Sequence, residues 1–218
     1  MKRAAVFEFY RRVADADPDP QTELDYVNPY TLLVAVALSA QATDVSVNKA
    51  TRQLFQEVQD PAAMVALGEE GLKANIRTIG LFNAKAKNVV ALSERLLAEH
   101  GGQVPADRDA LERLPGVGRK TANVVMNVAF GAETIAVDTH VFRVGNRTGL
   151  APGKTPHAVE QVLDKVTPKP FRRHAHHWLI LHGRYVCKAR RPECWRCIVA
   201  DLCAFRPKTP PPGDLVHV

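Results

Sequence analysis

Long apolar runs are missing from this 218-residue chain. The longest, TLLVAVALSA at 31–40, is too short to cross a bilayer. The opening stretch, MKRAAVFEFYRRVADADPDP, lacks the apolar core of a secretion signal; it reads as an amphipathic helix stopped at Pro18 and Pro20. These absences argue against a membrane partner and for a cytoplasmic protein. Period-two alternation is scarce and period 3.6 recurs along the chain, so the expected fold class is all-α. Internal repeats and low-complexity core segments are absent, and no single linker divides the chain. Acids are scarce at one end: from Phe171 onward there are nine Lys or Arg against Glu193, Asp201 and Asp214, within a net charge of +6 and a pI near 9.3. A basic quarter on such a chain is a footprint for nucleic acid.

Cysteine is scarce and confined. Cys187, Cys194, Cys197 and Cys203 are the only four, spaced C-x6-C-x2-C-x5-C. In a reducing cytosol such a group points to a soft metal rather than to disulfides, which leaves zinc or an iron–sulfur cluster. Zinc more often takes two separated C-x2-C knuckles, so one compact run favours a 4Fe–4S cluster. The first loop, KARRPE, carries Lys188, Arg190 and Arg191, and a centre that fixes this loop would anchor phosphate contacts.

Breaks between helices are expected at Asn28-Pro29, Asp60-Pro61, Gly80, Gly101-Gly102, Pro115-Gly116, Gly131, 151–153 and 168–170, with Asp107 and Asp138 as N-caps. In LPGVGRKTANVV (114–125), Gly116 and Gly118 permit close backbone approach, and the helix that follows offers N–H groups to an anion. Pro115, Gly116, Val117, Gly118 and Arg119 are therefore candidate DNA-backbone contacts. Such a hairpin grips phosphate without reading bases. Lys120 stands in the first turn of that helix, where the positive helix end and Arg119 disfavour a protonated amine, so it is a candidate nucleophile for a Schiff base. Asp138, capping the helix that carries Phe142 and Val144, is a candidate fixed negative charge able to stabilise an oxocarbenium ion. His140 is expected to be structural, and His174, His176 and His177 to be packing or surface residues rather than ligands.

LPGVGRKTANVVMNVAFG, then IAVDTHVFRVGNR, then the cysteine run, in that order, resemble the endonuclease III family of DNA base-excision repair glycosylases. The likeness runs from about Pro29 to Cys203 and includes LSAQATD and IGLFNAKAKNV. It implies a two-lobed helix–hairpin–helix glycosylase fold. A helical barrel would span 22–132, with the hairpin at about 107–130. Residues 1–21 and 133–205 would form a cluster domain whose iron–sulfur loop is 187–203, with a DNA-binding cleft between the lobes and a disordered tail at 206–218. It further implies that the four cysteines ligate a 4Fe–4S cluster, and that Lys120 and Asp138 are catalytic. Gln41 and Leu81 would fill the gap left in the duplex by an extruded nucleotide.

The implied activity is that of a bifunctional DNA N-glycosylase and AP lyase. It would act as a nucleoid-associated, prokaryotic monomer on double-stranded DNA carrying oxidised pyrimidines or abasic sites. A monofunctional adenine glycosylase is disfavoured because such enzymes lack a lysine at position 120. Binding without catalysis would require neither Lys120 nor Asp138, and a redox carrier would not require the hairpin.

Overall fold

A computed structural model describes residues 1–213; residues 214–218 of the expected tail lie outside it. The described residues contain α- and 3-10 helices and no strand. The chain divides into two compact units, Thr22–Ala132 and, as a discontinuous pair, Met1–Gln21 with the chain from Glu133.

The continuous unit holds α2 (Pro29–Leu38), α3 (Asp44–Glu57), α4 (Pro61–Ile76), α5 (Phe82–His100), α6 (Arg108–Glu112) and α7 (Arg119–Phe130). Two of these begin where an Asx–Pro pair dictates. Asn28 and Asp60 accept hydrogen bonds from the N–H of Thr31 and Ala63, and Pro29 and Pro61 occupy first positions whose N–H would have no helical partner. Helix α2 is apolar on every side, with Leu32, Leu33, Val34 and Leu38 fully buried, and this makes it the centre of the unit. It packs on α3, α5 and α7, while α4 lies along α5. The Tyr30 hydroxyl meets Ser93 Oγ at 2.6 Å, tying α2 to α5 in the interior.

The discontinuous unit comprises α1 (Arg3–Ala16), α8 (Thr139–Thr148), α9 (Pro156–Val166) and α10 (Arg172–Tyr185). Its core joins Val6, Phe9, Tyr10 and Val13 of α1 to Trp178 and Leu179 of α10, and to the apolar faces of α8 and α9. Polar ties close it: Trp178 Nε1 donates to Asp17 O at 2.8 Å, and Arg12 donates to Asp201 Oδ1 at 2.7 Å and to Ile198 O at 2.9 Å. His176 and His177 are buried in this packing. The described part of the tail, 206–213, has no helix or strand, and its first residues fold back so that Arg206 and Lys208 donate to Cys203 O.

Candidate functional site

The hairpin between α6 and α7 is built from local rules. Asp107 caps α6, accepting from Ala110 N at 2.7 Å. Leu111, Leu114 and Val117 are buried and anchor the turn, which closes with Val117 N donating to Leu114 O at 3.1 Å. Gly116 adopts φ 74°, and a Cβ there would come within 2.8 Å of Asn88 Cβ. Glycine is thus required twice, by the left-handed backbone and by the contact with α5. Gly118 is the N-cap of α7, and no side chain caps it. The start of α7 therefore carries the positive end of a helix with no side-chain cap and no acidic residue in its first turn. Lys120, the second residue of α7, is half-buried beside it.

Asp138 ends an extended segment whose Ile135, Ala136 and Val137 are buried, so the backbone beneath it is fixed. Its Oδ1 accepts from Val141 N at 2.8 Å, making Asp138 the N-cap of α8. The carboxylate is half-exposed. His140 packs against Gly183, and its Nδ1 lies 3.2 Å from an Arg143 nitrogen, a structural arrangement.

Gln41 and Leu81 share a backbone feature. Among the described residues they are the two non-glycine positions with positive φ, at 55° and 60°. For a leucine this region costs on the order of 1–3 kcal/mol. Leu81 is also 62 % exposed, so neither backbone comfort nor burial accounts for it. Gln41 lies in the loop between α2 and α3, and Leu81 is the N-cap of α5. One turn beyond Leu81, Lys85 is buried with no partner for Nζ, and burial pushes its pKa down. Sequence reasoning passed over Lys85, because a lysine in the first turns of a helix reads as solvated.

The four cysteines line one partly open pocket in the discontinuous unit, together with His182, Val186 and Phe205. None of the four forms a disulfide. Burial pushes the Cys187 and Cys197 thiols up, since a thiolate is poorly solvated there. Bound iron would offset that cost. Among the described residues no three His, Cys, Asp or Glu side chains converge as a single ion requires. Four soft donors lining one pocket fit an iron–sulfur cluster.

Polar groups already point at the sulfurs: Phe205 N lies 3.4 Å from Cys203 Sγ, and an Arg147 nitrogen 3.9 Å from Cys187 Sγ. Of the loop cations, Lys188 is paired with Glu193 at 2.6 Å, while Arg190 and Arg191 are exposed. Glu193 also pairs with Arg196, and the two cations, Lys188 first, hold its carboxyl below the usual range.

Comparison with known proteins gives two family matches along the chain. A family described as "HhH-GPD superfamily base excision DNA repair protein" matches residues 34–169, and "Iron-sulfur binding domain of endonuclease III" matches 187–203. Endonuclease III of Escherichia coli K12 is 57 % identical over 208 residues, covering 95 % of this chain and 99 % of the relative. Endonuclease III of Treponema pallidum is 58 % identical over 199 residues, covering 91 % and 93 %. A solved structure of a trapped covalent intermediate of endonuclease III with DNA matches with a TM-score of 0.88 and 44 % identity, covering 94 % of this chain and 96 % of that one.

Proposed function

From the premise that the chain belongs to the endonuclease III family, we propose that Lys120 is its nucleophile and Asp138 its fixed catalytic carboxylate. The protein is a base excision DNA repair enzyme, a glycosylase and AP lyase that binds DNA, and its cofactor is a 4Fe–4S cluster. We assign the cluster to Cys187, Cys194, Cys197 and Cys203; when bound, it cross-links the loop 187–203 into a rigid element. The substrate we assign is duplex DNA with an oxidised pyrimidine or an abasic site. We place the enzyme with the nucleoid of a prokaryotic cell, acting as a monomer.

One observation carries the reading. Lys120 follows, within one helical turn, a glycine hairpin whose helix end has no side-chain cap of its own. A phosphate supplies the missing negative charge, and the hairpin grips the backbone at Gly116, Val117 and Gly118, with Pro115 and Arg119 flanking. That fixes the sugar for the neighbouring amine. A damaged base leaves the stack at lower cost than an intact one, and Leu81 and Gln41 fill the space behind it.

The Lys120 amine attacks C1′ and displaces the base while Asp138 stabilises the positive charge that develops on the sugar. Ring opening gives a Schiff base between Nζ and C1′. Loss of a C2′ proton then expels the 3′ phosphate by β-elimination, and water releases the enzyme from a nicked strand. The unprotonated amine is required at the first step.

The test is borohydride trapping on duplexes carrying thymine glycol or an abasic site. A covalent complex is expected with the natural chain and none with Lys120→Ala, which keeps DNA binding. Nicking that survives Lys120→Gln would remove Lys120 from the chemistry.

A further inference from the structure

The last turn of α8 grips both ends of the loop 187–203. At the front, Arg147 donates through one nitrogen to Lys188 O at 2.6 Å and through the other to Ala189 O at 2.5 Å. At the back, its guanidinium lies 5.1 Å from the centre of the Phe205 ring, and its own carbonyl oxygen lies 3.7 Å from Cys203 Sγ. Ala204 N donates to Thr148 O at 3.0 Å beside it. The two carbonyls so held belong to the residues immediately before Arg190 and Arg191.

Those residues need a brace. Residues 188–191 are exposed and lie outside any helix. Ordering such backbone costs conformational entropy, and any part not met beforehand is met when DNA binds. A planar guanidinium satisfies two carbonyls in one geometry, which a lysine ammonium on a flexible stem does not. The stacking face of Phe205 fixes the plane of the fork.

We propose that Arg147 is a positioning residue for DNA binding, bracing the carbonyls of Lys188 and Ala189 so that Arg190 and Arg191 are presented together to the phosphate backbone. This rests on the reading of the loop as a phosphate contact. Arg147 acts through the loop and touches no DNA itself, so its contribution exists only while Arg190 and Arg191 are present.

The experiment is a thermodynamic cycle on the full, cluster-loaded chain, with loading checked by the cluster's visible absorption. Arg147→Lys, the pair Arg190→Gln with Arg191→Gln, and the triple variant are titrated with an abasic-analogue duplex over a range of salt. Arg147→Lys is expected to bind roughly tenfold more weakly. Its plot of log affinity against log salt should flatten by about one to two, although no charge is removed. The triple variant should bind within about twofold of the double.

Natural affinity in Arg147→Lys, or a loss that adds in full to that of the double, overturns the proposal. If the double variant itself binds like the natural chain, the phosphate-contact reading fails instead. Should Arg147→Lys not hold its cluster, Phe205→Leu removes only the stacking face and is carried through the same cycle. A smaller loss, again absent on the double background, is expected, and no loss overturns the proposal.

Discussion

Leu81 combines a left-handed backbone at φ 60° with a side chain exposed to water, two unfavourable conditions at one residue. Glycine relieves both, so Leu81→Gly is expected to raise the unfolding free energy by about 1 kcal/mol or less. It should also lower kcat/KM on a lesion duplex by roughly tenfold or more through loss of the apolar wedge. Melting temperature and single-turnover rate move in opposite directions on this view, and a variant that lost both would make Leu81 a structural residue. Nothing in the composition of IGLFN discloses that conformation, because leucine has no preference for it. The position was legible only through the likeness of the whole stretch to a family. Lys85 was not legible at all, because a lysine in the first turns of a helix reads as solvated.

At the scale of elements, the cap and the charge of Asp138 are separable. Asparagine caps a helix about as well as aspartate does, and alanine forfeits about 1 kcal/mol. Asp138→Asn should therefore melt close to the natural chain yet lose glycosylase activity, whereas Asp138→Ala should lose both. Full activity in Asp138→Asn, measured by base release, would reduce the residue to a cap.

Caps and breaks of this kind were legible because their causes are local: Asp107 and Asp138 cap where the sequence placed them. Asn28-Pro29 and Asp60-Pro61 start helices for the same reason. Two features escaped. The break at 39–43 is set by Thr43 capping α3 and by Gln41 turning left-handed, with no proline or glycine to announce it. Gly68 bends α4 with φ 69°, while Gly71 three residues on stays helical, and the sequence treats the two alike.

For the whole molecule, acid is the informative stress. Burial first, then His176, Arg173 and His174, hold His177 down to about 3 from an ordinary 6.5. The unfolded chain takes up this proton before the folded one, so the stability His177 contributes is intact above about pH 6.5 and declines as pH falls towards about 3. Urea midpoints collected from pH 7 to pH 4 should fall less steeply in His177→Phe than in the natural chain, and parallel curves would assign the acid sensitivity elsewhere.

Helical periodicity made the all-α class legible throughout. The association of α1 with residues beyond 133 has no local signature, because it is made by Tyr10 meeting Trp178 and Phe9 meeting His182 across the length of the chain. That discontinuity has a consequence during synthesis. The apolar face of α1 is synthesised before its partners, and all of 22–132 must be made between the two. At usual elongation rates the interval is on the order of ten seconds, during which the continuous unit can fold while α1 waits, a natural client for a chaperone at the tunnel exit.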